Sequence, residues 1–283
     1  MNRLVGLWQV SGLLLAMVSL GWAAGGNPEQ AKVVAEITRL GGQVTIDEED
    51  PDKPVIGVEL GTTKVTDAGL ERLEVLTSLR SLHLAVTDVT DAGLEHLTRL
   101  TSLRTLMLGN TLVTDAGMKH LKGLKNLKSL GLWGTKVTDA GLEHLKPLTN
   151  LRSLLFRGTK VNDAGLRHLK GLPKLESLDL SYTEVTDAGL EQLKGVKKLR
   201  VLYLDGTKVT DAGLTHLKKL PDLQQVILTN TKVTDAGLEH LKGMKGLQFL
   251  FLCGTKVTDE GVKRFQQELP HCKVQFYRST NRP

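Results

Sequence analysis

Cysteine is nearly absent: Cys253 and Cys272 are the two among 283 residues. No disulfide framework can hold this chain, so a buried core must. Aromatic residues are scarce as well, at 4%, against 40% hydrophobic residues overall. A core so poor in rings has to repeat one small side chain many times, and leucine supplies it. Enzyme signatures are missing: there is no glycine-rich phosphate loop ending in Lys-Ser/Thr, no H-E-x-x-H and no G-x-S-x-G. Net charge is +6, yet no run of basic residues interleaves with stacking aromatics, which excludes a nucleic-acid partner.

Long apolar runs are also absent, with one exception. Asn2 and Arg3 precede "LVGLWQVSGLLLAMVSLGWAA", and small residues stand at Gly21 and Ala23. A basic start, an apolar stretch and small residues at its end read as a secretory signal over residues 1–23, cleaved after Ala23. The alternative is an uncleaved anchor, since Leu4 to Ala24 is long enough to span a bilayer. Either reading predicts export to the periplasm, cell envelope or exterior. Membrane contact is expected only through residues 4–24, if they stay uncleaved.

What is present is periodic. "VTDAGL" or a close variant begins at residue 65 and recurs every 24 residues to 257, nine copies in all. In one unit, residues 79–102, Leu79, Leu82 and Leu84 alternate with Ser81, His83 and Ala85 as a short strand. Leu94, Leu97 and Leu100 then recur along one side of a helix, with Glu95 and Arg99 outward. Such a unit cannot bury its apolar sides alone, whereas stacked copies can.

The pattern LxxLxLxxTxV followed by TDAGLxHLxxL resembles the leucine-rich repeat family, and looks closest to ribonuclease-inhibitor-like arrays of exported bacterial proteins. The resemblance covers residues 55 to about 278. It implies an α/β solenoid, with a curved parallel sheet on the concave face and short helices on the convex face. One departure stands out: the family's usual asparagine after the strand is threonine, at Thr63, Thr87, Thr111, Thr135, Thr159, Thr183, Thr207, Thr231 and Thr255. These hydroxyls are expected to form a ladder to neighbouring loop backbones.

Within the motif, Thr66 and its equivalents, with Asn162 in one copy, are expected to cap the helix start. Replacing such a cap by alanine should cost ~1 kcal/mol. Asp67 and its equivalents take the first helical position, facing the positive end of the helix dipole. Gly69 through Gly261 let adjacent units approach closely. Nine equivalent aspartates are scaffold, because a reagent would be unique.

Residues 24–54 read as an N-terminal cap. Asn27 and Pro28 open a helix that ends at Gly41, "QVTI" at 43–46 is a covering strand, and "DEEDPD" at 47–52 is an acidic loop. Residues 55–278 form the array, closed by the strand "KVQF", in which Val274 and Phe276 keep register with Leu250 and Leu252. Residues 279–283 are a tail. By the same register Cys253 and Cys272 lie roughly 17 Å apart along the strands, beyond disulfide reach.

His96, His120, His144, His168, His216 and His240 share one column. Neighbouring helices lie ~8–10 Å apart, too far for adjacent imidazoles to share a metal, so no metal or cofactor is expected. Basic residues form two columns at opposite ends of the strands, Arg80 to Arg200 and Lys136 to Lys256, interrupted by Glu176, Glu184 and Asp88. Both read as solvated rims.

Function should lie where the copies differ. The outward strand positions vary, and Trp133, Tyr182, Tyr203, Phe249, Phe251 and Tyr277, six of nine aromatics beyond the signal, fall on or beside that face. The candidate partner-binding residues are therefore Met107, Trp133, Leu155, Arg157, Asp179, Tyr182, Tyr203, Asp205, Ile227, Phe249 and Phe251. Trp133 beside Arg157 is expected to stack, while Asp179 and Asp205 flank Tyr203. Residues 133–205 and 249–253 are the two expected hot spots. Exposed aromatics with a few charges suit a protein or peptide ligand, so a monomeric, non-enzymatic binding scaffold is expected. The alternative is a carbohydrate-acting enzyme using Asp179 and Asp205, whose Cα atoms should lie on the order of 8 Å apart. A substrate-receptor array of the ubiquitin-ligase kind is a further family analogy. No adaptor-binding domain precedes the repeats, and the export signal opposes it.

Overall fold

The computed structural model describes residues 27–277. The apolar segment at 1–23 and the tail at 279–283 lie outside the described residues. Eleven strands make one sheet in sequence order. They are β1 (Gln43–Ile46), β2 (Val55–Glu59), β3 (Ser81–His83), β4 (Thr105–Met107), β5 (Ser129–Gly131) and β6 (Ser153–Leu155). Then follow β7 (Ser177–Asp179), β8 (Val201–Tyr203), β9 (Gln225–Ile227), β10 (Phe249–Phe251) and β11 (Lys273–Gln275). β1 runs antiparallel to β2. Every later pair is parallel and offset by one repeat, from Gly57↔Ser81 to Phe249↔Lys273.

Alternation explains each strand. Leu82 is fully buried while Ser81 and His83 are half-buried on the other face. The ladder continues past the strands, with Leu84 N donating to Met107 O and Val86 N to Gly109 O. The open face is therefore wider than three residues. One residue of each repeat then turns left-handed: Thr62, Val86, Asn110, Gly134, Gly158, Tyr182, Gly206, Asn230 and Gly254 have φ between 53° and 70°.

The threonine after that turn corrects an expectation. Its hydroxyl does not reach a neighbouring loop. In all nine copies it donates to the carbonyl three residues back in its own repeat, as Thr135 Oγ1 does to Leu132 O at 2.6 Å. Each threonine thus closes its own turn, so a buried hydroxyl leaves no polar group unpaired.

The nine motif helices begin at the aspartate, from Asp67–Glu71 to Asp259–Glu268, and the first six continue as short 3-10 turns. Pieces this short are not stable alone, so packing of the leucine stripe holds them. Thr138 Oγ1 accepts from Ala140 N at 3.4 Å, and Asn162 Oδ1 from Ala164 N at 3.0 Å. Thr66, in the first copy, makes no such side-chain bond.

The aspartate does more than face a dipole. Asp115 Oδ1 accepts from Thr138 N at 2.7 Å, and Oδ2 accepts from Thr138 Oγ1 at 2.6 Å, one repeat on. Eight aspartates, Asp67 to Asp235, accept from the backbone amide of the next cap. Seven also take its hydroxyl; Asn162 has none to give. The motif is an inter-repeat latch. The glycine makes room for it: a Cβ at Gly141 would stand 2.5 Å from Asp115 Oδ1.

At the near end, helix Pro28–Arg39 starts with Asn27 Oδ1 accepting from Glu29 N at 3.0 Å. It buries Val33, Val34 and Ile37 against the array. It ends in a left-handed Gly41, φ 84°, with Gly42 N donating to Ile37 O. At the far end Val274 and Phe276 pack half-buried against the core. No helix of the described residues is long and apolar enough to cross a membrane.

Cys253 and Cys272 are free and buried, and the β10–β11 register separates them along the strands. Burial pushes the Cys272 thiol from 9.0 to about 11. Alkylation of the native chain near pH 8 should therefore be slow at Cys272 and fast after unfolding. Its neutral form is the one the fold favours, so stability should be unaffected by this group below pH 9.0 and fall between 9.0 and about 11. Rapid native labelling, or a mass showing an intramolecular bridge, would contradict this packing.

Candidate functional site

Glycines shape the centre of the open face. The positions beside Trp133 are Gly109, two residues past β4, and Gly131, the last residue of β5. A Cβ on either would run into the Trp133 indole, and one on Gly131 would also stand 2.6 Å from Met107 Sδ. The indole thus lies across two strands with only hydrogen beneath it, beside the Met107 sulfur.

Arg157 does not stack on Trp133, contrary to the sequence expectation. Its guanidinium lies 4.4 Å over the Tyr182 ring. Strand register places Arg157 and Trp133 side by side, but Tyr182 occupies the left-handed turn position, φ 56°, and its ring comes within reach instead. The ring also lies against Gly206, where a Cβ would meet Tyr182 Cδ1 at 2.7 Å. Tyr182 remains 48% exposed although a bulky residue at positive φ is strained.

Asp179 and Asp205 converge on one serine. Asp179 Oδ1 accepts from Ser181 N at 2.8 Å, and Asp205 Oδ2 from Ser181 Oγ at 3.0 Å. Ser181 is wholly buried, so both carboxylates complete its bonding. That gives each a structural task that a reacting pair does not require. Tyr203 lies between them, register partner of Asp179, and is half-buried, as is Leu155.

The second cluster, residues 249–253, is less open than expected, since Cys253 is buried at 8% exposure. Ile227, the register partner of Phe251, is buried as well, at 7%. Phe249 is exposed, with Lys273 Nζ 5.7 Å from its ring, and Phe251 is half-buried. Cys253 and Ile227 therefore offer little to a ligand, whereas Phe249 and Phe251 offer ring surface.

Left-handed strain was not anticipated. Val86, β-branched at φ 60° and 51% exposed, is the clearest case. Asn110 and Asn230 hold the equivalent position in other repeats. Val86→Asn is expected to raise stability by about 1 kcal/mol in a urea melt, since asparagine tolerates this conformation. A loss of stability would mean Val86 is held there by packing that outweighs its strain.

On the convex side the histidines do not converge. Among the described residues no group of three or more His, Cys, Asp or Glu could hold a metal ion. His96 Nδ1 lies 2.8 Å from Glu74 Oε1. His144 and His168 are held below the ordinary imidazole pKa, first by burial and then by Lys122 and Lys146 respectively.

Comparison with known proteins agrees with this architecture. The family described as "Leucine Rich repeat" matches residues 75–97 and 171–194. No curated protein matches the chain. Among solved structures, internalin C2 of Listeria monocytogenes is similar over 80% of this chain and 93% of its own, at 24% identity and a TM-score of 0.59. A leucine-rich-repeat protein of Leptospira interrogans is similar over 73% of this chain and 62% of its own, at 19% identity and a TM-score of 0.53. At such identities the likeness is one of fold: parallel strands alternating with short helices in a curved, open sheet.

Proposed function

We propose that this leucine-rich-repeat array is an exported, monomeric, non-enzymatic scaffold that binds a protein or peptide on the concave face of its sheet. The supporting observation is the Trp133–Arg157–Tyr182 ridge. Each ring rests on glycine backbone of a neighbouring repeat, and Arg157 is already stacked, so little side-chain freedom is left to lose on binding. Trp, Tyr and Arg are also the residues in which interface energy concentrates. Met107, Leu155, Tyr203, Phe249 and Phe251 extend the surface, with Asp179 and Asp205 as its fixed charges. Export rests on residues 1–23; the native protein should begin near Ala24, and an intact Met1 in the membrane fraction would instead support an anchor.

The test is capture from envelope extracts with the purified chain, alongside a Trp133→Ala/Arg157→Ala variant of equal stability. Wild type should retain a defined protein that the variant loses. Identical capture by both would sink the concave-face reading.

A further inference from the structure

We propose a second site, independent of the concave ridge: a cleft at the N-terminal rim of the sheet that binds a sugar carrying a phosphate or sulfate group. The cleft has a volume of about 280 Å3 and is lined by Ser78, Arg80, Ser102, Arg104 and Asn126. Two guanidiniums, two hydroxyls and an amide make up its side-chain wall, with no carboxylate and no apolar side chain among them.

Charge along this rim is uneven. Arg80 Nη2 is 3.1 Å from Asp47 Oδ2, and Arg152 Nη1 is 2.6 Å from Glu176 Oε1. Arg104 has no ion pair among the described residues, although Arg80 and Lys128 flank it, each just before the start of an adjacent strand. Strands stand ~4.8 Å apart, and like charges at that spacing repel, so an anion beside Arg104 would offset that repulsion. Arg200 also lacks an ion pair among the described residues, but it does not line this cleft.

The remaining lining groups suit a polyol. No hydrogen bond engages the Ser78 or Ser102 hydroxyl among the described residues, so both are available as donors and acceptors. Asn126 Nδ2 donates to Thr101 O at 2.9 Å, leaving its Oδ1 to accept from a ligand hydroxyl. The volume is close to the lower end of small-molecule sites, ~300–1,000 Å3, and is larger than a bare oxyanion needs. A guanidinium fork binds tetrahedral oxyanions through paired N–H groups, and the hydroxyls and amide take the sugar.

Isothermal titration of the purified chain with glucose 6-phosphate, glucose 6-sulfate, glucose and inorganic phosphate tests this. One equivalent of at least one charged sugar should bind, at least tenfold tighter than glucose or inorganic phosphate. The difference between the phosphate and sulfate arms identifies which ester is preferred. Arg104→Met should weaken that binding at least tenfold with an unchanged melt, while Arg200→Met leaves it as it was. No binding of either charged sugar, equal binding by Arg104→Met, or equal loss from Arg200→Met would each overturn the proposal. Inorganic phosphate binding as tightly as the sugar esters would overturn the sugar assignment. Trp133→Ala should leave this binding unchanged, so failure here is separable from failure of the concave-face reading.

Discussion

Asp115→Ala is expected to cost the array about 3 kcal/mol in a urea melt. The carboxylate accepts from Thr138 N, Thr138 Oγ1 and Gly141 N, at 2.7, 2.6 and 3.0 Å. Bonds to a charged group contribute ~1.5–3 kcal/mol each, and removing one partner strands the others. A carboxylate serving only its own helix dipole would be worth ~0.3–1 kcal/mol, so the size of the loss decides between the roles. Thr138→Ala should cost about 2 kcal/mol, since it removes a latch donor as well as a cap. That exceeds the ~1 kcal/mol due to a cap alone. The two changes should be non-additive by 1 kcal/mol or more, as expected for partners in one network. Asp139→Ala should cost less than Asp115→Ala, because Asn162 offers its carboxylate a backbone amide but no hydroxyl. A loss below about 0.5 kcal/mol for Asp115→Ala would show that the latch does not hold the repeats together.

Gly141→Ala should be destabilising by about 3 kcal/mol, against the usual direction. In an ordinary helix interior, glycine to alanine gains roughly 0.5–1 kcal/mol. Here the new Cβ would stand 2.5 Å from Asp115 Oδ1, 2.9 Å from Val137 Cγ1 and 3.1 Å from Met118 Cγ. To make room the latch must open or the repeats must separate, and either loses buried contacts. Gly69, in the first motif copy, has no preceding aspartate; its Cβ would meet only Val65 Cγ2, at 2.8 Å. Gly69→Ala should therefore cost much less. Gly171→Ala, with nothing within 4 Å, should be close to neutral. The comparison is a set of denaturant midpoints, and equal losses at Gly141 and Gly69 would contradict a role in repeat approach.

Much of this architecture could be read from one repeat. Leu79, Leu82 and Leu84 announce their face by alternation, and Asn162 in place of threonine marks a helix cap. The latch could not be read that way. Asp115 bonds a residue 23 positions on, in the next copy, and a perfect period makes every cross-repeat distance look equally plausible. Side-chain direction was the other gap. Register alone put Trp133 beside Arg157, whereas Tyr182 reached Arg157 from a left-handed turn. A signal for that turn was available: glycine or asparagine stands at six of the nine positions, Asn110, Gly134, Gly158, Gly206, Asn230 and Gly254, so threonine, valine and tyrosine in that column are out of place. Burial of Ile227 and Cys253 had no such signal, because it depends on the size of neighbours across two strands.

Whether the varied concave face, rather than the repeated motif, carries the activity comes down to one paired measurement. Trp133→Ala, Arg157→Ala, Tyr203→Ala and Phe251→Ala are each compared with Glu143→Ala and Lys194→Ala on the helix side. For each variant, affinity for the captured partner is measured beside a urea melt. All six should unfold within about 1 kcal/mol of wild type, because none has a side chain that caps a helix, forms the latch or fills the leucine core. At least one concave change should weaken the partner by ~2 kcal/mol or more, and neither helix-side change should. Loss of binding from Glu143→Ala or Lys194→Ala, with the concave variants unaffected, would place the partner on the convex surface and contradict the assignment.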